Sequence, residues 1–226
     1  MHAPETLTDP GLPHRDTRSR SSKDRFIEAA ALEFIEKGYE GCTIRAIAGR
    51  AGTSIASLSR NWSGKQHLFE DVFALHFGVI NAAQNRNLDL LEQAGTPALD
   101  ELLHAFFRPV LAPLAQGGAG AASHQVYCKA LADPSDEAKA IARPLVRHVR
   151  ARMIGYARQF LPQLSEQELF LAMTVINGTY TYPQVHGARL ATVMGIAEAD
   201  IDWDKAARGL AMMVATGLLA FHAQGN

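Results

Sequence analysis

The sequence is poor in the features that mark an enzyme, a secreted scaffold or a metal protein. It has only two cysteines, Cys42 and Cys128, far apart and with no Cys-x-x-Cys or Cys/His ligand pattern around either. Neither a disulfide framework nor a zinc finger is supported. Its nine histidines include no pair at i, i+4 on a helix with a third ligand close by, so no metal site is assigned. G-x-S-x-G, H-E-x-x-H, P-loop and dinucleotide motifs are all missing, and carboxylates such as Glu166 and Glu168 read as helix-start charges. No catalytic residue and no cofactor follow. A strong net charge is missing too, since 22 Lys+Arg against 23 Asp+Glu leave −1. The N-terminal MHAPETLTDPGLPHRDTRSRSS lacks the apolar run of a secretory signal, and the longest apolar run, Gly209 to Phe221, is short for a bilayer span. A cytoplasmic protein with no membrane partner is expected.

What is present suits a packed chain: 226 residues, 47% hydrophobic and 20% charged, enough for a small module plus a medium one. Charge is unevenly spread. Met1 to Lys65 carries 10 Lys+Arg against 8 Asp+Glu, and the remainder 12 against 15, so the halves are +2 and −3. Between Thr43 and Lys65 stand Arg45, Arg50, Arg60 and Lys65 with no acid at all.

The periodicity is helical throughout and no alternating run is long enough for a strand, so an all-α fold is expected. Residues 1–20 read as a flexible arm; its Arg15, Arg18 and Arg20, with Lys23 and Arg25 beyond, could enter a minor groove or simply solubilise the chain. Residues 21–65 read as three short helices and 66–226 as a larger helical domain. The first helix runs from Ser21 and stops near Gly38 and Gly41; Thr43 caps a second through Ala51, and Ser54 a third through about Asn61. Further helices are expected from Lys65 to about Leu88, from Thr96 as N-cap with Pro97 in first position, from Ser123 to Ala132 after a Gly/Ala-rich break at Gly117 to Ala122, from Glu137 to Phe160, from Ser165 to about Tyr182, and from Asp204 to Ala223.

The segment TIRAIAGRAGTSIASLSRNW meets the requirements of a helix-turn-helix in one register. Ala48 is small where two helices cross, and Gly52 sits where the turn needs a positive φ. Ile44, Ile47, Ala51 and Leu58 then face inward. Ile55, Ala56, Ser59 and Arg60 are left outward on the second helix of the pair, and the acid-free flanks suit contact with phosphate.

On these residues the chain resembles the tetracycline-repressor (TetR) family. The match lies in the AA..EFIEKGYEGCTI stretch, the AIAGRAGTS core and the ending at Lys65, Leu68 and Phe69. The resemblance implies a helix-turn-helix head that binds double-stranded DNA and a divergent helical domain for effector binding and dimerisation. It places Thr43 and Arg45 at phosphate or base contacts, Ser54, Ile55, Ala56, Ser57 and Ser59 on the recognition helix, and Lys65 at a phosphate-binding position opening the fourth helix. Three residues depart from the family pattern. Ser59 stands where Tyr is usual, Asn61-Trp62 replaces His-Phe and alters a possible backbone contact at Asn61, and Ala56 replaces Gly. The operator sequence therefore cannot be inherited from a relative.

In the larger domain, polar-tipped groups among apolar walls suggest a small-molecule pocket, for which Phe106, Tyr127, Met153, Tyr156, Met173, Asn177 and Tyr180 are the candidates. The apolar stripe at the chain end, with Leu210, Val214 and Leu218, is the candidate homodimer interface. The expected function is a transcriptional regulator, a repressor released from a palindromic operator by a small, mostly apolar effector. The alternative is a helical ligand-binding or adaptor protein without specific DNA binding.

Overall fold

The computed structural model describes residues 21–112 and 119–224. Among them nine α-helices are present and no strand: α1 (Ser22–Gly41), α2 (Ile44–Arg50), α3 (Ile55–Ser59), α4 (Lys65–Ala94), α5 (Leu99–Leu111), α6 (Ala119–Ala132), α7 (Asp136–Phe160), α8 (Glu166–Met194) and α9 (Trp203–Gln224), with one 3-10 turn at Glu198–Asp200. The proposed arm at residues 1–20 lies outside the described residues, as do Gly117 and Gly118 of the Gly/Ala-rich segment.

The caps explain most of the boundaries. Ser21 Oγ accepts from the Asp24 amide and Asp24 returns the bond to the Ser21 backbone, a reciprocal box that fixes the start of α1. Thr43, Ser54 and Ser165 cap α2, α3 and α8 through their own hydroxyls. Gly38 takes φ +71 near the end of α1, which a side chain would resist. Gly52 takes φ +62 in the turn between α2 and α3, as the register requires.

Four expected boundaries move. α4 runs past Leu88 to Ala94, because polar contacts hold its last turns to α7: Arg152 donates to Asn85 Oδ1 at 3.1 Å and to Asp89 at 2.7 Å, and Tyr156 donates to Glu92. α5 begins at Leu99 with Ala98 as N-cap, not at Thr96-Pro97; Glu101 accepts from the Ala98 amide at 2.8 Å and buried Leu99 anchors the first turn. α6 already includes Ala119 to Ala122, in keeping with the high helix propensity of alanine. α8 passes Pro183 and ends at Gly195 (φ +69). Across the proline, Gln184 Nε2 donates to the Val110 carbonyl of α5 at 3.0 Å.

The core is continuous from head to body. Phe34 of α1 meets Phe69 and Phe73 of α4 edge-on at 5.6 and 5.0 Å, and Phe77 meets Tyr127 of α6 at 4.6 Å. α4 thus carries one aromatic row from the three-helix head into the larger domain, where it packs on α5, α6 and α7. Cys42 and Cys128 are both buried free thiols, and burial pushes the Cys42 thiol up to about 11.

Candidate functional site

The helix-turn-helix is assembled from its buried residues outward. Ile47, Ala48, Ala51 and Leu58 are buried, with Ile44 packed at their edge. Trp62 fills the slot behind α3, meets Phe26 edge-on at 5.8 Å, and donates through Nε1 to Asp71 at 3.0 Å. With this side closed, Ser54, Ile55, Ala56, Ser59, Arg60 and Asn61 are exposed and Ser57 half-exposed. Ser59 and Asn61 turn their polar tips back to the Ile55 and Ser57 carbonyls at 3.2 and 3.1 Å. Ile55, 44% exposed, therefore presents the bulkiest apolar side chain on α3.

The basic residues divide into two kinds. Arg50 is occupied: its guanidinium forks onto Glu36 at 2.8 and 2.6 Å and its Nε donates to Glu33 at 2.8 Å. Glu33 is itself buried and accepts from Lys37 at 2.6 Å; that hydrogen bond, with Arg50 beside it, holds its carboxyl below the usual range. The segment from Thr43 to Lys65 contains no acid, but α1 supplies two. Lys65 is also engaged, donating to the Tyr39 carbonyl at 3.0 Å and lying over the Tyr39 ring at 4.1 Å. Arg45 and Arg60 are exposed and have no ion-pair partner among the described residues. α4 begins at Gly64 with no side-chain cap and no acid in its first turn, so its leading amides face outward unopposed.

In the larger domain the structure gathers four of the seven pocket candidates. Phe106 meets Tyr180 edge-on at 5.3 Å, Tyr180 donates to Asn177 at 2.9 Å, and the buried Tyr127 hydroxyl lies against that of Tyr180. Asn177 also donates to the carbonyl of Met173. Met153 is buried in the same core. Tyr156 belongs to the same buried cluster, but its hydroxyl is tied to Glu92 and to Arg152 at 3.1 Å.

Comparison with known proteins bears on both halves. Residues 26–72 match the model for bacterial regulatory proteins of the tetR family, and residues 104–217, half of the chain, match that for the tetracyclin repressor-like C-terminal domain. The chain belongs to the TetR family. It is therefore a transcriptional regulator with a helix-turn-helix DNA-binding head, of a family that is generally non-enzymatic. A curated relative, the uncharacterized HTH-type transcriptional regulator YvkB of Bacillus subtilis (strain 168), is 33% identical over 85 residues, 38% of this chain and 41% of that protein. The match thus spans about two fifths of that relative's length. Solved structures share the fold at low identity. A putative transcriptional regulator from Pseudomonas aeruginosa PAO1 superposes with a TM-score of 0.62 at 16% identity, covering 89% of this chain and 92% of that one. FadR from Bacillus subtilis, in complex with stearoyl-CoA, gives 0.57 at 15%, covering 85% and 97%.

The TetR-family body exposes a run of large apolar side chains along α8 and α9. Phe170, Leu171 and Val175 of α8 and Met212, Met213, Leu219 and Phe221 of α9 are 42 to 69% exposed. Between the two helices runs a groove of about 510 Å³ walled by Leu171, Val175, Met213, Val214, Leu218 and Phe221. Trp203–Ala223 is long and apolar enough to cross a membrane, a length the shorter sequence run did not reach; as a helix it is only partly covered by its own chain. Of the expected interface residues, Val214 and Leu218 are buried and Leu210 half-buried within one chain, on a helix that packs chiefly on α5. The exposed members of the patch are their neighbours one or more positions along. Val214 and Leu218 also line the groove between the two helices.

Proposed function

We propose that this regulator binds a pseudo-palindromic operator as a two-fold dimer, represses from it in the cytoplasm, and is released by a small, mostly apolar effector held in the interior of the larger domain. The observation that carries the reading is the composition of the exposed head. α3 offers small side chains and Ile55 to a groove, Arg45 and Arg60 are exposed and unpaired among the described residues, and the uncapped start of α4 offers backbone amides to a third phosphate. On this reading Lys65 braces the end of α1 beside that phosphate and adds its charge from there.

Dimerisation is supported by the apolar α8–α9 surface, a run of exposed side chains flanking a groove, the kind of surface that marks protein–protein contact. One five-residue recognition helix is also too small for high affinity, so two half-sites must be read together. The apolar effector is supported by the aromatic and apolar make-up of that interior, with Phe106, Tyr127, Met153 and Tyr180 buried in it, and the FadR neighbour holds stearoyl-CoA. Release follows mechanically, because α4 is one rigid element that starts at the phosphate site and lines the interior, so a ligand that fits one tilt of it shifts the spacing of the two heads. The test is footprinting on the DNA that flanks its own gene. A protected palindrome that weakens as salt rises supports the reading, whereas salt-insensitive or absent protection on every fragment rejects it.

A further inference from the structure

A cleft of about 580 Å³ opens between the end of α1, the outer face of α6 and the Gln184–Val185 turn of α8. It lies apart from the aromatic interior and has one wall on the DNA-binding head. Two bonds join its walls: Lys129 donates to the Ile35 carbonyl, and Asp133 accepts from the Tyr39 amide at 3.0 Å, just after the Gly38 kink. A Cβ at Gly38 would lie 3.1 Å from that Asp133 oxygen, so glycine there serves the close approach as well as the turn.

We propose that this cleft is a second small-molecule site, taking a compact neutral ligand that carries both a hydrogen-bond donor and an acceptor. The charges on its rim are already partnered: Glu36 by Arg50, Lys37 by Glu33, Lys129 by Ile35, and Asp133 by the Tyr39 and Ser135 amides. A charged ligand would have to displace one of them. The open valences are neutral ones on the floor. His124 is 1% exposed and the Val110 carbonyl of α5 lies beside its imidazole; its Nδ1 makes no hydrogen bond, and its Nε2 lies 3.7 Å from Cys128 Sγ. Gln184 spends its amide N–H on Val110, leaving Oε1 buried and unpartnered. Buried polar atoms without partners are uncommon in native proteins. Burial keeps the imidazole neutral at pH 7, so Nδ1 either donates or accepts and the ligand supplies the complement. The volume lies in the range of small-molecule sites. A ligand seated there bridges α1 and α6, and so reports on the joint between head and body.

The test uses one ring with four heads. Benzamide, benzoate, benzylamine and toluene are titrated into the full-length chain, followed by two-dimensional amide NMR. Benzamide should saturate with shifts at residues 35–38, 124–129 and 184–185 and bind about tenfold more tightly than the other three, the difference expected of two neutral hydrogen bonds. Val185→Trp, at an exposed position in the cleft wall, should abolish those shifts. His124→Phe should bring benzamide down to toluene. Should His124→Phe fail to fold, Val185→Trp carries the test alone. Equal binding of all four probes, benzamide shifts centred on Tyr127 and Tyr180, or indifference to Val185→Trp would overturn the site. Operator binding without any small molecule is measured separately, so its failure would count against the DNA reading and not against the cleft.

Discussion

The two exposed surfaces of this molecule are built on opposite rules. The head shows groups that are small, polar and directed: Ser54, Ala56 and Ser59 on α3, Arg45 and Arg60 with no ion-pair partner among the described residues, and the uncapped amides of α4. The α8–α9 face shows Phe170, Leu171, Met212 and Met213, bulky and without direction. A hydrogen-bonding surface can discriminate between partners because a wrong partner leaves polar groups unpaired. An apolar surface gains free energy from any cover, and needs only shape to prefer a second copy of itself. On the proposed reading, sequence recognition and self-association use separate faces, and α4 runs from the head into the body, where it packs on α5, α6 and α7.

Breaking the apolar face should have the largest effect. Met213→Arg or Leu171→Arg places a charge in the groove at an exposed position and should yield a folded monomer by sedimentation. Operator affinity should then fall about a thousandfold, the low end of the gap between specific and non-specific binding. Arginine at Val214 or Leu218 is a poorer experiment, because both are buried in their own chain and the variant tests folding first. A Met213→Arg protein that remained dimeric and bound operator normally would remove α9 from the interface.

The second experiment asks whether the head is held by charge where the body is held by burial. Glu33 is a buried carboxylate serving Lys37 and Arg50 together, and removal of one partner from such a set is costly. Glu33→Gln should lower unfolding free energy by about 2 kcal/mol in urea, since Lys37 and Arg50 stay partly solvated and Arg50 keeps Glu36. Because the folded carboxyl is held below its ordinary value, its contribution is complete at neutral pH and is lost as pH falls through the folded value. The variant should therefore show a flatter acid limb than the parent.

The body should fail in acid for a different reason. Burial pushes His124 down to about 4, so between that value and the ordinary histidine range the unfolded chain binds a proton that the folded chain refuses. Stability contributed by His124 is present above about pH 6.5 and is lost on acidification. The loss between pH 7 and 5 should be roughly 2 kcal/mol. His124→Asn should remove that slope; an unchanged slope would mean that the imidazole is solvated in the folded chain.

How much of this could be read from the chain depends on the reach of the interaction. Gly52, Thr43, Ser54 and Ser165 act within a few residues, so their caps and turns were legible, and the helix-turn-helix with them. The pairing of Arg50 with Glu33 and Glu36 was not, since those acids lie 17 and 14 residues upstream on another helix. The acid-free window from Thr43 to Lys65 consequently overstated the charge available to DNA. The end of α4 was missed because polar contacts with α7 hold it, and these leave no apolar period. The α9 stripe was visible, but a 3.6-residue period cannot say whether α5 or another chain covers it.

The smallest effect separates the free arginines from the occupied cations. Arg60 is exposed and has no ion-pair partner among the described residues, so Arg60→Ala should weaken binding to all sequences by a similar factor and reduce the slope of log affinity against log salt by about 1. Lys65 already gives its ammonium to the Tyr39 and Cys42 carbonyls, at 3.0 and 3.4 Å. Lys65→Ala should therefore act in two places. It should lower thermal stability by releasing the end of α1, and it should reduce the salt slope by less than Arg60→Ala does. Lys65→Met keeps the stem over the Tyr39 ring and removes the charge, so it isolates the electrostatic part. A full unit of slope lost in Lys65→Met, with stability unchanged, would show that the ammonium leaves α1 for phosphate in the complex. The bracing role assigned to Lys65 would then be wrong, while the phosphate site at the start of α4 would stand.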